Sequence, residues 1–179
     1  GQDKANNYFM DTQYLGIAIQ YYLAGRSATF MSALPVAGNL FHHAVEMLLK
    51  FVLIKNSYTP DQLKKSFGHD LKKLWSAVKS KLNDPTMDKF DQLVSDLNDF
   101  EDLRYPGRGY AASISIYKCE WPKVFNGPME IKQHQVVVEE IDEFVSALLT
   151  GKVTSEWIKG IMMGEALEQY KRDNKHPFF

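Results

Sequence analysis

"LFHHAVEMLLKFVLIK", Leu40–Lys55, is apolar at every position except His42, His43, Glu46, Lys50 and Lys55. Leu40, Phe41, Ala44, Val45, Leu48, Leu49, Val52 and Leu53 cover most of a helix surface, which marks a helix buried on most of its sides. With Asn39 in front, the polar residues His42, His43, Glu46 and Lys50 fall at offsets 0, 3, 4, 7 and 11, on one continuous face. Charge inside a core is costly unless it is paired. The stripe must therefore meet water, another subunit, or charged groups brought in by the rest of the chain.

Reading outward, Tyr8 to about Thr29 repeats apolar residues at Phe9, Tyr14, Leu15, Ile17, Ala18, Tyr21, Tyr22 and Ala28, a long first helix. "ALPVAGN" then brings Pro35 and Gly38, a break or kink, and Asn39 is placed to cap the second helix over Asn39–Asn56. "SYTPDQLKKSFG" offers a Thr59 cap with Pro60 behind it, enough for a short helix. "GHDLKKLWSAVKSKL" carries Leu71, Leu74, Trp75, Val78 and Leu82 at helical spacing, a third main helix started by His69 or Asp70. Met87, Phe90, Leu93, Leu97, Phe100 and Leu103 extend a fourth as far as Pro106-Gly107. The following segment, rich in β-branched and aromatic residues with an Asn-Gly turn signal, reads as irregular chain with room for a short β-hairpin. "KQHQVVVEEIDEFVSALLTG" reads as the fifth helix and "TSEWIKGIMMGEALEQYKRD" as a sixth, despite two internal glycines. The tail "NKHPFF" reads as loosely held or lying on a neighbour.

Helices with short connections pack antiparallel around one core. The expected fold is all-α: an antiparallel bundle of about five core helices within residues 8–150, plus a C-terminal helical extension over 151–179. The 179 residues suit one domain, and 45% apolar with 24% charged residues is ordinary for a globular one. A net charge of −1 provides no global field toward nucleic acid or membranes, although a local basic patch remains compatible with it. No apolar run reaches the roughly 18 to 20 residues of a membrane span. The lone Cys119 cannot form an internal disulfide, and no Cys/His spacing suits structural zinc, which makes a reducing cytoplasm the default. The start "GQDKANNYFM" lacks a signal-peptide pattern, and Gly1 in place of Met reads as a processing scar.

Three readings of the stripe follow. Glu46 and Lys50 stand four apart in the favourable order for a surface pair, with the histidines half exposed. Alternatively, Glu46 or Lys50 reaches His69, Asp70 or Arg104 and forms a polar network that fixes helix packing. Third, the stripe is a ligand or catalytic site. His42 or His43 with Glu46 has the spacing of metal ligands, but a carboxylate-bridged bundle needs matching Glu-x-x-His pairs that "EDLRY" and "EEIDEF" do not supply, so neither metal nor cofactor is expected. Metal-free RNA cleavage would need a His as general acid/base beside a cation, for which His69 with Arg104 or Arg108 are the candidates. "EDLRYPGRGY", Glu101–Tyr110, adds arginine donors and tyrosine stacking faces beside Gly107 and Gly109, suited to phosphate and base contact, or equally to closing a helix end.

Taken in order, a long first helix, "FHHAVEMLLKFVLIK", "GHDLKKLW" and a helix ending "DLRY" resemble the HEPN domain, the higher eukaryotes and prokaryotes nucleotide-binding family, over about Tyr8–Tyr110. The resemblance implies an α-helical bundle, dimerisation through a bundle face, and roles in RNA cleavage, toxin or phage-defence systems, or nucleotide and partner binding. Ribonucleases of that family carry an Arg followed a few residues later by His. "YPGRGY" after Arg104 and "GYAASIS" after Arg108 contain no His, and Arg172 is followed by His176 at too short a spacing. The resemblance therefore implies a non-catalytic, homodimeric module for a nucleotide, RNA or protein partner, with a divergent ribonuclease as the alternative, in the cytoplasm that the cysteine usage suggests. Glu46, Lys50, His69, Asp70, Arg104 and Tyr105 match the pattern by which such domains organise their bundle, and with His43 and Arg108 from the stripe and the Arg-Tyr segment they are the candidates for the polar network or binding site.

Overall fold

The computed structural model describes residues 2–101, 110–116 and 132–179. Among them are α1 (Gln2–Phe30), α2 (Leu34–Lys55), α3 (Pro60–Ser66), α4 (Leu71–Leu82), a 3₁₀ segment (Pro85–Phe90), α5 (Asp91–Asp99), β1 (Tyr110–Ser115), β2 (Lys132–Val137), α6 (Val138–Leu149), α7 (Ser155–Ile161) and α8 (Glu165–Lys171). The fold is an all-α helical bundle carrying one small two-stranded sheet. No helix among the described residues is long and apolar enough to cross a membrane.

α2 is the central element. Phe41, Val45, Leu48, Leu49, Val52 and Leu53 are all buried, and α1, α4, α5 and β1 pack around it. From α1 come Leu15, Ile19 and Tyr22, from α4 Leu71, Leu74 and Val78, from α5 Leu93 and Leu97, and from α6 Ile141, Phe144 and Leu148. Trp75 and Phe90 meet Phe144 edge-on at 5.3 and 5.2 Å, a favoured aromatic geometry that ties α4 and the 3₁₀ segment to α6. At α3, Thr59 accepts from the Gln62 N–H while the Gln62 side chain accepts from the Thr59 N–H, a complete capping box.

Several expectations change, among them the continuous fourth helix, which is a 3₁₀ segment over Pro85–Phe90 followed by α5 over Asp91–Asp99. α2 starts at Leu34, because Pro35 in the first turn needs no N–H partner; Asn39 lies inside the helix rather than capping it. Gly38 is no break either: a Cβ there would fall within the Phe100 ring, so its role is to let α2 and the fully buried Phe100 approach closely. Gly38→Ala should therefore cost about 2 kcal/mol by overpacking, measured as a lower urea midpoint with an unchanged slope. In place of a hairpin, β1 and β2 pair in parallel, with Ala112 opposite His134 and Ile114 opposite Val136. β2 takes the first third of the expected fifth helix, since the β-branched pair Val136 and Val137 fits a strand, and the Glu139 N–H bonds the Ile116 carbonyl at 3.0 Å.

Two further changes are at the C-terminal end. Gly164, at φ +57°, splits the expected sixth helix into α7 and α8. The tail is packed rather than loose: Phe178 is 7% exposed, its N–H donates to the Tyr170 hydroxyl at 2.7 Å, and Phe179 stacks on the Tyr170 ring.

Candidate functional site

The polar stripe of α2 converges on one carboxylate. Glu46 is 1% exposed, and its Oε1 accepts from Lys50 Nζ at 2.7 Å, one helical turn on, and meets His69 Nδ1 at 2.8 Å. His69 sits in the turn before α4, positioned by two side chains. Asp70 caps α4 by accepting from the Lys73 N–H at 3.1 Å, and Asn98 of α5 accepts from the Leu71 N–H at 3.0 Å. The spacing of Glu46 and Lys50 on one helix thus meets a turn fixed by its own cap.

His42 completes the inner side. It is 1% exposed and its Nδ1 lies 2.8 Å from the Leu97 carbonyl, which can only accept, so Nδ1 carries the proton. Its Nε2 faces Glu46 Oε2 at 3.9 Å, and both atoms are buried without a hydrogen-bond partner among the described residues. His43 lies on the outer side, about one-third exposed, with Nδ1 3.7 Å from Oε2 and its ring 5.3 Å from Tyr21. The Glu101 carboxylate approaches His42 Nε2 at 3.9 Å.

These surroundings shift the titrations. Burial alone would raise the Glu46 pKa, but the hydrogen bond and charge of Lys50, with His69 behind them, bring it below the usual carboxylate value. Burial lowers the His42 pKa, against the Leu97 carbonyl and the carboxylates of Glu101 and Glu46. Burial and the Glu46 charge raise Tyr14.

Both His42 and Glu46 have folded pKa values below the unfolded ones, so the unfolded chain takes up their protons first. Stability should be fully present above the His value of 6.5 and fall as pH drops below it, then fall again below the Glu value of 4.5. Asp142, whose folded pKa is raised by burial, acts in the opposite sense in the carboxylate range. Urea unfolding across pH should show both losses; His42→Asn, which retains a donor for Leu97, should remove the upper one, and a variant that kept it would assign that loss to another group.

A groove of about 390 Å³ opens beside this cluster, walled by Met10, Gln13, Tyr14 and Ile17 of α1 and Met47 and Lys50 of α2, with Pro60 at its margin. Lys50 belongs to both: its ammonium bonds Glu46 and its side chain lines the groove. Mostly apolar concavities of this size with a few fixed polar groups are the usual form of ligand sites.

Of the residues expected from the sequence, Glu46, Lys50, His43 and His69 come together, and Asp70 serves as the cap that positions His69. Arg104, Tyr105 and Arg108 lie outside the described residues. The pairing of Glu46 with Lys50 is buried rather than a surface pair, and His42 is enclosed rather than half exposed. Among the described residues, no three His, Cys, Asp or Glu side chains are gathered as a metal ion requires.

A second buried network carried no motif in the sequence. Arg26 (0% exposed) and Asp142 (1%) form a two-oxygen ion pair, and the Tyr22 hydroxyl donates to the same carboxylate. Arg26 also donates from Nε to the Gln169 carbonyl at 2.9 Å and from Nη2 to the Arg172 carbonyl, capping the C-terminal end of α8 with a cation. The signal was a charge at core period: Tyr22 and Arg26 continue the Leu15–Ile19 stripe, and Asp142 stands between Ile141 and Val145.

No protein-family model, curated protein or solved structure matches this chain.

Proposed function

We propose that the chain is a non-catalytic binding or accessory module of HEPN type, whose groove between α1 and α2 takes a nucleotide, RNA or a protein partner. Lys50 carries the reading. It is 8% exposed, and the hydrogen bond it makes among the described residues goes to Glu46, so an ammonium with three donors keeps capacity for a phosphate or carbonyl oxygen in the groove. Tyr14, Met10, Ile17 and Met47 offer the apolar and aromatic surface on which a base or side chain packs. In this reading the module works in the cytoplasm as a homodimer, with Arg104, Tyr105 and Arg108 adding phosphate and stacking contacts.

One observation favours a second reading. His69 has a side chain 69% exposed and bonds a carboxylate 1% exposed, the carboxylate–imidazole arrangement that orients a general acid/base and leaves its other nitrogen for substrate. A metal-independent ribonuclease would use His69 with Arg104 or Arg108 stabilising the phosphorane charge.

A thermal-shift panel of nucleotides and short RNAs, run in chelator, tests the proposal. A ligand present at ten times its Kd adds about 1.4 kcal/mol, a few degrees for a chain of this size. The expected shift is lost in Tyr14→Ala and reduced in Arg104→Ala and Arg108→Ala. A flat panel would exclude nucleotide and RNA and leave the protein partner; RNA cleavage abolished by His69→Ala would replace the first reading by the second.

A further inference from the structure

Residues 60–82, which hold α3 and α4, carry six lysines against two aspartates, a balance of +4 in a chain whose net charge is −1, so the remaining residues carry −5. Asp70 is engaged as the cap of α4, and Lys79 is matched by Asp88 and Asp91, each 2.9 Å away. Lys64, Lys65, Lys72, Lys73 and Lys81 are exposed and form no ion pair among the described residues.

The two helices lie side by side. Lys81 Nζ is 5.8 Å from the ring of Tyr58, just before α3, so the start of α3 lies beside the end of α4, and the end of α3 runs through a short turn into the start of α4. Leu63 of α3 and Leu71, Leu74, Trp75 and Val78 of α4 face the core, which leaves the lysines outside with the exposed Ser76 and Ser80. This surface continues the Lys50 groove. Pro60 stands at the groove margin, Lys64 follows one turn later on the same side of α3, and His69, its side chain 69% exposed, bonds the carboxylate that holds Lys50.

An excess of cations on one face attracts an anionic partner. Protein partners are centred on aromatic or aliphatic anchors, and helices that lie on membranes present an apolar face. α3 and α4 expose no large apolar residue, so a partner meets them through charge and hydroxyl contacts, as a phosphate backbone does. The groove adds that a base entering it must be unpaired, the form in which RNA sequence is commonly recognised.

We infer that the outer surface of α3 and α4 is the backbone track for a single strand of RNA, its phosphates on Lys64, Lys65, Lys72, Lys73 and Lys81 and one base turned into the Lys50 groove. This assignment rests on the groove as a nucleotide site and narrows its occupant to a polynucleotide.

The test is the affinity of the full chain for a labelled uridine 12-mer and for uridine monophosphate across a salt series. About four phosphate contacts give a slope of log Kd on log salt near 3, so the 12-mer should weaken roughly fiftyfold for a fourfold rise in salt, and the monophosphate far less. Lys72→Gln with Lys73→Gln, and likewise Lys64→Gln with Lys65→Gln, should each lower the slope by about 1.4, while Lys159→Gln, an exposed lysine of α7, should leave it unchanged. A 12-mer that binds no tighter than the monophosphate, or a slope unchanged in both double variants, would overturn the track; the groove would still stand if Tyr14→Ala released the monophosphate. A 12-mer weakened by the lysine variants but indifferent to Tyr14→Ala would uphold the track and remove the groove as the base site. Tighter binding of a twelve-residue polyglutamate or of a thymidine 12-mer would overturn RNA as the partner.

Discussion

Replacing Arg26 by methionine should cost about 3–5 kcal/mol of folding stability, the largest loss expected from any substitution discussed. Methionine keeps much of the stem and removes the guanidinium. Asp142, 1% exposed, is then left with only the Tyr22 hydroxyl, and the carbonyls of Gln169 and Arg172 lose their donor. Burial already raises the Asp142 pKa against the opposing pull of Arg26 and Tyr22, so without Arg26 the carboxyl favours its protonated form still more. A folded pKa raised above the unfolded one contributes stability at low pH that is lost as pH rises, so the variant should regain part of its loss on acidification. Arg26→Met combined with Asp142→Leu should lose much less than the single change, because a buried pair replaced as a whole by apolar groups is often near neutral. Urea unfolding of the three proteins checks this. A single variant within about 1 kcal/mol of the parent would show that the pair is solvated rather than buried.

Lys50→Met should cost about 3 kcal/mol, by leaving a buried carboxylate under-compensated. Glu46 Oε2 already lacks a hydrogen-bond partner among the described residues, and Oε1 would retain only His69. Adding Glu46→Gln to Lys50→Met removes the charge as well and should recover part of the loss. A cost below about 0.5 kcal/mol, the worth of an exposed helix pair, would contradict the buried hub. Together the two predictions separate the roles of the networks. Arg26 and Asp142 fasten α8 and α6 to α1, whereas Glu46 and Lys50 hold one cation at the edge of a groove.

What was legible in the sequence was local. The apolar period of Leu40–Lys55 identified the central helix, the four-residue step from Glu46 to Lys50 identified their pair, and Thr59-Pro60 and Asp70 marked helix starts that the structure has. What was missed depends on partners distant in the chain. Gly38 looks like a break until Phe100 is placed against it, and Arg26 meets a carboxylate 116 positions away. Val136 and Val137 suit a helix or a strand by period, and only pairing with β1 selects the strand. The stripe lay between these cases: its face was visible, but its burial depended on His69 arriving from the turn before α4 and on the Leu97 carbonyl of α5.

In the proposed function the hub around Glu46 serves binding and not catalysis. The most direct test is one incubation of the protein with labelled single-stranded RNA in chelator, scored for both retention and integrity. Retention of intact RNA, weakened by Tyr14→Ala and indifferent to His69→Ala, is the predicted result. Cleaved RNA whose production stops with His69→Ala in a folded protein would contradict it.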